Sequence, residues 1–234
     1  MTNLFNRIFI SAILMLLSSF TSAATIHVKH DTTGNNNGTS WADAYTDLQM
    51  ALSSATSSDE IWVAKGVYKP TTGTNSEATF QLKNGVALYG GFIGNEINRD
   101  TRNWDTNKTV LSGDIDNNDT TDTDGIITDV NNISGNNVYT VVTGSGTDNT
   151  AILDGFFITG GLANGSGING YVGGMLNISG SPVLTNVTLT GNIGNLGGGV
   201  LNYLSNSNLT NVTFSSNTSN YDGGGMYNYS SNPN

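Results

Sequence analysis

The clearest pattern of apolar and polar positions lies between Ile152 and Asn234. Leu184, Val187 and Leu189 are set among Thr and Asn, and the arrangement returns as Leu209, Val212 and Phe214. The step from Leu184 to Leu209 is 25 residues. A looser copy, Leu153, Phe156 and Ile158, stands 31 residues before Leu184 and has Gly161 where the later copies have Asn192 and Asn217. Its six extra residues fall in the Gly, Asn and Ser run from Gly161 to Tyr171, where a stack of repeats tolerates an insertion. A second word keeps step with the first. Gly173-Gly174-Met-Leu-Asn177, Gly198-Gly199-Val-Leu-Asn202 and Gly224-Gly225-Met-Tyr-Asn228 place their asparagines 25 and 26 residues apart.

A unit of this length is too short for the helix pairs of common helical repeats, which need roughly 33 residues. Thr, Val, Asn and Gly are also poor helix formers. The pattern therefore predicts an all-β chain of short strands separated by Gly, Asn and Ser bends, each strand pairing in parallel with the strand one unit later: a single-stranded parallel β-helix, or solenoid. Asn177, Asn202 and Asn228 would then stack about 4.8 Å apart, where identical side-chain amides form a hydrogen-bonded ladder. Asn192 and Asn217 are repeat positions of the same kind. The paired glycines would mark a sharp bend at which a Cβ crowds the next coil.

Before the repeats, Thr25 to Lys29 alternates as a first strand. Ser40 then opens a predicted helix from Trp41 to Ala55, with Asp43 as a weaker partner in a capping box. Such a helix would cover the open cross-section and edge of the first coil. Further strand candidates are Ile61 to Ala64, Gly66 to Tyr68, Phe80 to Leu82, Val86 to Tyr89, Val110-Leu111, Ile126-Ile127, Val138 to Val142 and Ala151 to Leu153. No linker separates these parts, so one domain is expected: residues 24–60 as first strand and cap, 61–234 as the β-helix. Met1 to Ala23, with Arg7, an apolar run from Ile8 to Phe20 and the small residues Thr21-Ser-Ala23, reads as an export signal.

Charge and cysteine content narrow the function. The chain has no cysteine and a net charge of -10. An exported protein without disulfides must rely on its core and backbone ladders, which suits a stacked solenoid. All eight Lys and Arg lie at or before Lys108, and both histidines are His27 and His30. From Thr109 onward the only ionisable groups besides tyrosines are aspartates. Nucleic acid is excluded as a partner, because nothing in the repeats can clamp phosphates.

Three candidate chemistries stand out. The loop from Gly113 to Gly125 places Asp114, Asp116 and Asn118 at alternate positions, where they could offer oxygens to calcium. It departs from a helix-loop-helix calcium loop at Asp119, in place of the turn glycine, and at Gly125, in place of the bidentate Glu. The alternative is a solvated loop between coils. Asp114 and Asp116 could also be a glycosidase carboxylate pair on one strand face, but no tuned partner for acid/base work is visible. Tyr203, Tyr221, Tyr227 and Tyr229 could form a sugar-stacking surface, or be lateral stacks between coils.

Several of these words resemble a known group. Gly38-Thr-Ser-Trp41, Asp59 to Ala64 with Gly66-Val-Tyr68, Gly90-Gly-Phe92, Leu111-Ser-Gly-Asp114 and Leu153-Asp-Gly-Phe156 together look like bacterial right-handed parallel β-helix proteins of the pectin-lyase-like superfamily. The tail is similar to the polymorphic outer membrane protein repeat of chlamydial surface proteins, which pairs Phe-x-x-Asn with a Gly-Gly word, as in Phe214-Ser-Ser-Asn217 and Gly223-Gly-Gly-Met226. The resemblance implies an exported protein of the cell surface, outer membrane or medium, adhesin-like or a display scaffold. It would bind a glycan or surface protein through its lateral faces, as a monomer, without catalysis and without a cofactor other than the calcium considered above. The rival is a carbohydrate-active enzyme, a polysaccharide lyase or glycoside hydrolase, of the same fold. With the repeat spacing, another leucine is due directly after Asn234, so the sequence reads as a fragment whose remaining part carries more coils and any membrane anchor.

Overall fold

A computed structural model describes residues 23–234 of the chain; the expected export signal falls almost wholly outside the described residues. The structure is mostly β, with one α-helix and purely parallel pairing between its strands. The first sheet has six strands, Thr25–Val28, Glu60–Ala64, Ala87–Phe92, Ile152–Asp154, Val183–Thr185 and Asn208–Thr210. The second has five, Gly66–Tyr68, Thr109–Ser112, Phe157–Thr159, Thr188–Thr190 and Thr213–Ser215. The third also has five, Phe80–Gln81, Val142–Thr143, Met175–Ile178, Val200–Tyr203 and Met226–Tyr229. From Glu60 on the chain visits them in rotation, first, second, third and back to first, and two circuits add a strand, Ile193–Gly194 or Thr218–Ser219, to a small fourth sheet between the second and third.

Register follows the repeated words residue by residue. Leu153 pairs beside Leu184 and Leu184 beside Leu209; Ile158, Leu189 and Phe214 form the matching column of the second sheet. Met175, Val200 and Met226 form that of the third. The members of these columns as far as Val200 merge with Ile61, Leu88 and Leu111 into a single buried core, against which Phe214 and Met226 pack partly buried. A register slip of one residue would turn every one of them to solvent, so the repeat fixes the pairing. A small second cluster, Val172, Leu176 and Leu201, is buried on the outer side of the third sheet, packed by Ile178, Leu196 and Tyr227.

From Ile152 onward the strands of the three sheets each end at a left-handed corner residue. Gly155, Asn186 and Asn211 make one column, Gly160, Gly191 and Ser216 a second, and Gly146, Ser179, Leu204 and Ser230 a third, all with positive φ. Gly and Asn adopt this conformation at least cost, which explains why they interchange at the first corner. Ser179, Ser216 and Ser230 adopt it too, and Leu204, at φ 52, is the one corner with a bulky apolar side chain. The paired glycines behave as expected: a Cβ on Gly174 would lie 2.3 Å from the Gly199 carbonyl oxygen, and one on Gly199 would lie 2.4 Å from that of Gly225.

The capping helix is shorter than predicted. It runs from Leu48 to Ser54, with Asp47 as N-cap accepting from the Gln49 amide, and buries Leu48, Ala51 and Leu52. Ser40 and Asp43 do bond each other, but as a local turn. The reason lies in the backbone of the segment between. The Tyr45 amide donates to His27, the Lys29 amide to Tyr45 and the His27 amide to Gly38, so residues 38–45 loop along the first strand and satisfy its free edge instead of coiling into a helix. Edge and cross-section thus have separate covers. Ile126 and Ile127, read as a strand, are buried without belonging to one.

Candidate functional site

The repeat asparagines form the ladder their spacing predicts. The Asn177 Nδ2 donates to Asn202 Oδ1 at 2.9 Å, and the Asn202 Nδ2 to Asn228 Oδ1 at 2.9 Å. One circuit earlier the column holds Gly144, so the buried Asn177 Oδ1 has no partner. Asn192 and Asn217 bond each other at 3.0 Å, and Asn192 Oδ1 accepts from the amide of Gly161, the third member of their column. A further ladder was not anticipated: Asn211 donates to Asn186, which donates to Asp154. All these groups hold neighbouring circuits together.

Asp114, Asp116 and Asn118 do not lie on a strand, because Thr109–Ser112 ends before them. Asp114 is buried, and its Oδ1 accepts from the amides of Asn117 at 2.8 Å and Asn118 at 3.3 Å, which folds the chain into a turn. Asp116 Oδ2 accepts from Asn118 Nδ2 and the Asn136 amide. Oxygens a calcium ion would need are thus facing the loop's own donors. Among the described residues no group of three or more His, Cys, Asp or Glu is placed to hold one metal ion. The partner that Asp114 does find is Asp119. Both line a cleft of about 350 Å³ on the outer side of the second sheet, with Val67, Lys69, Ser112 and Asn117. The Lys69 ammonium lies 3.6 Å from Asp114 Oδ2 and donates to Asn117 Oδ1 at 2.7 Å. Burial pushes the Asp119 carboxyl above the usual range, and the charges of Asp114 and Asp116 add to this against hydrogen bonds from Asn137 and the Ser134 amide.

The outer face of the first sheet holds a cluster that the sequence reading did not find. His27, Trp62, Tyr89 and Asp154 are successive members of one outward column. Residues 93–108, between the first and second sheets, fold back over this column. Arg102 Nη2 reaches Asp154 Oδ2 at 2.7 Å, with both side chains largely buried, while Nη1 donates to the Gly90 carbonyl at 2.8 Å. Arg99 bonds Glu60 at 2.6 Å and lies 4.6 Å from the Tyr89 ring centre. Gly91, φ 93, makes the overlay possible: a Cβ there would sit 2.7 Å from the Trp104 Cα. Trp62 stacks on Phe92 at 4.9 Å, and His27 meets Trp41 edge-on at 4.6 Å. Burial lowers the His27 pKa, against a hydrogen bond with the Gly38 carbonyl that raises it. The readable signal was Asp154 itself, a charge where the later copies carry Thr185 and Thr210. Cations absent from the repeats are thus brought to one of them from 52 residues away.

A third outward feature lies on the last two circuits. Tyr203 and Tyr229 stack with centres 4.9 Å apart and planes at 4°. Tyr203 is 40% exposed, Leu204 53% and Tyr229 49%. Between Asp154 and Asp222 the chain has no charged side chain, so the surroundings of this patch on its own strands are uncharged. No protein-family model, curated protein or solved structure matches this chain.

Proposed function

We propose that the three rotating sheets are the coils of a right-handed parallel β-helix, exported to a bacterial surface or the medium, where the chain acts as an adhesin-like or display scaffold. Its lateral faces bind a glycan or protein partner. The observation that carries this reading is the exposed Tyr203, Leu204 and Tyr229 patch in an uncharged stretch. Tyr supplies contact area with little entropy to lose, and Leu204 puts an exposed apolar side chain at a left-handed corner that its column neighbours fill with Gly146, Ser179 and Ser230. The test is adhesion of beads coated with the protein to panels of immobilised glycans and extracellular proteins. Saturable binding that falls in Tyr203→Ser and Tyr229→Ser is expected; binding that both substitutions leave intact overturns the assignment to this patch.

A second reading, hydrolysis of a glycosidic bond, draws support from Asp114 and Asp119. Two carboxylates in one cleft with different surroundings, one beside Lys69 and one raised by burial, are what base and acid roles require. Release of reducing ends from polysaccharides, abolished in Asp119→Asn, would move this reading to first place.

A further inference from the structure

The first sheet also carries a cleft of about 680 Å³, within the range of roughly 300–1,000 Å³ usual for ligand sites. It crosses three circuits, from Ser57 to Glu60, Asn84 to Tyr89 and Asp148 to Ile152, which is about 10 Å at the interstrand spacing. Its floor is the outward column Glu60, Ala87 and Ile152, carboxylate at one end and aliphatic beyond. Gly85, φ 73, keeps it open: a Cβ there would meet the Ser57 Oγ at 2.2 Å. The rim offers the exposed Ser57, Ser58, Asn84, Asn149 and Thr150, so hydroxyl and amide groups surround an apolar strip.

The charges around this cleft decide what it can take. Glu60 is neutralised by Arg99, and the same guanidinium lies over the Tyr89 ring, so that wall is fixed before any ligand arrives. Asp59 turns both oxygens inward, accepting from Thr56 and the Ala24 amide. Asp148 accepts from the hydroxyl and amide of Thr150, which hold it below the usual carboxylate range, and remains as a negative charge at the rim. No Lys, Arg or His lines the cleft. A polyanion would meet the free Asp148 carboxylate, while the nearest cation, Arg99, is already held by Glu60.

We propose that this cleft is a binding site for a short uncharged glycan, its sugar rings lying across Ala87 and Ile152 and its hydroxyls bonding the Ser, Asn and Thr rim. The inference rests on the reading that lateral faces bind partners, but it names a separate face and one ligand class. Glycans of this kind need an apolar strip beside paired donors and acceptors and no countercharge, which is the composition of this cleft.

The test is calorimetry and glycan-array binding with maltohexaose, cellohexaose, xylohexaose and a hexauronate as probes. The wild-type protein is expected to bind at least one neutral probe and not the hexauronate. Ala87→Trp, which fills the floor, and Asn149→Ala, an exposed rim change that leaves the fold alone, should each weaken that binding by about tenfold. Tyr203→Ser should leave it unchanged. Binding of the hexauronate alone, or neutral-glycan binding that neither cleft substitution alters, overturns the inference. If no probe binds while coated beads still adhere through the Tyr203 patch, the cleft assignment fails and the adhesin-like reading stands. If both are lost in Tyr203→Ser, the single site is the tyrosine patch.

Discussion

At the scale of single residues, Leu204 and Asp119 are the positions whose surroundings disfavour the state they are in. Leu204 holds a left-handed backbone that costs an ordinary side chain about 1–2 kcal/mol. Leu204→Asn, which tolerates that conformation, should raise the unfolding free energy by about 1 kcal/mol, seen as an increase of about 2–4 °C in Tm, while weakening adhesion through the patch. A lower Tm in the variant would mean that the leucine packs better than its exposure suggests. Asp119 acts through pH. Its folded pKa is raised above the ordinary 3.8, so the folded state binds this proton more tightly than the unfolded one. The resulting stability is complete below pH 3.8 and is lost as pH rises through the raised folded value. Denaturant titrations across that interval should show a falling component in the wild-type protein that is missing in Asp119→Asn.

At the scale of elements, stability resides in columns and in the segment laid over them. Asn202 is the central member of its ladder, accepting from Asn177 and Ser207 and donating to Asn228. Asn202→Ala removes an acceptor from the buried Asn177 and Ser207 and a donor from the exposed Asn228, and should cost about 2 kcal/mol. Asn177→Ala should cost less, because its side-chain oxygen has no partner to lose; equal losses in a chemical-denaturation comparison would refute the ladder account. The excursion over the first sheet depends on Arg102. Arg102→Met strands a largely buried Asp154, with an expected loss of about 3 kcal/mol, and should free residues 93–108 so that trypsin cuts after Arg99 and Lys108 before the sheets unfold. The columns were legible in advance because repetition prints them in the chain. The Arg102 pair was not, since parallel stacking brings together residues that no local period relates. The helix was overestimated for a related reason: the spacing of Trp41, Tyr45 and Leu48 suits a helical face, but the backbone bonds of Gly38 and Tyr45 to the free edge of the first strand hold that segment out of a helix.

At the scale of the whole molecule, neighbouring circuits contact mainly one another, so protection should be graded along the stack. Amides of Val183–Thr185 and Val200–Tyr203, whose inward side chains are fully covered, should exchange more slowly than those of Met226–Tyr229, where Met226 is only partly buried. Uniform exchange across these strands would show that the stack opens as one unit. The sheets and their register were readable from the sequence because the same 25-residue phrase sets apolar column, corner and ladder together. The candidate sites were less so. The carboxylate-pair reading assumed an extended backbone at Asp114, whereas that residue's own side chain closes a turn and Asp119 is the carboxylate that shares its cleft.

The matching of corner, column and ladder at every circuit also bears on how such a chain can change over generations. An in-frame duplication of residues 184–208 would lay one further strand on each of the three sheets and keep the leucine column, the left-handed corner and the asparagine ladder continuous. Length is therefore free to drift by whole units through slippage at the DNA level, while the cross-section is held fixed. Lineages of this protein should differ far more readily in how many circuits they have than in the shape of any one of them.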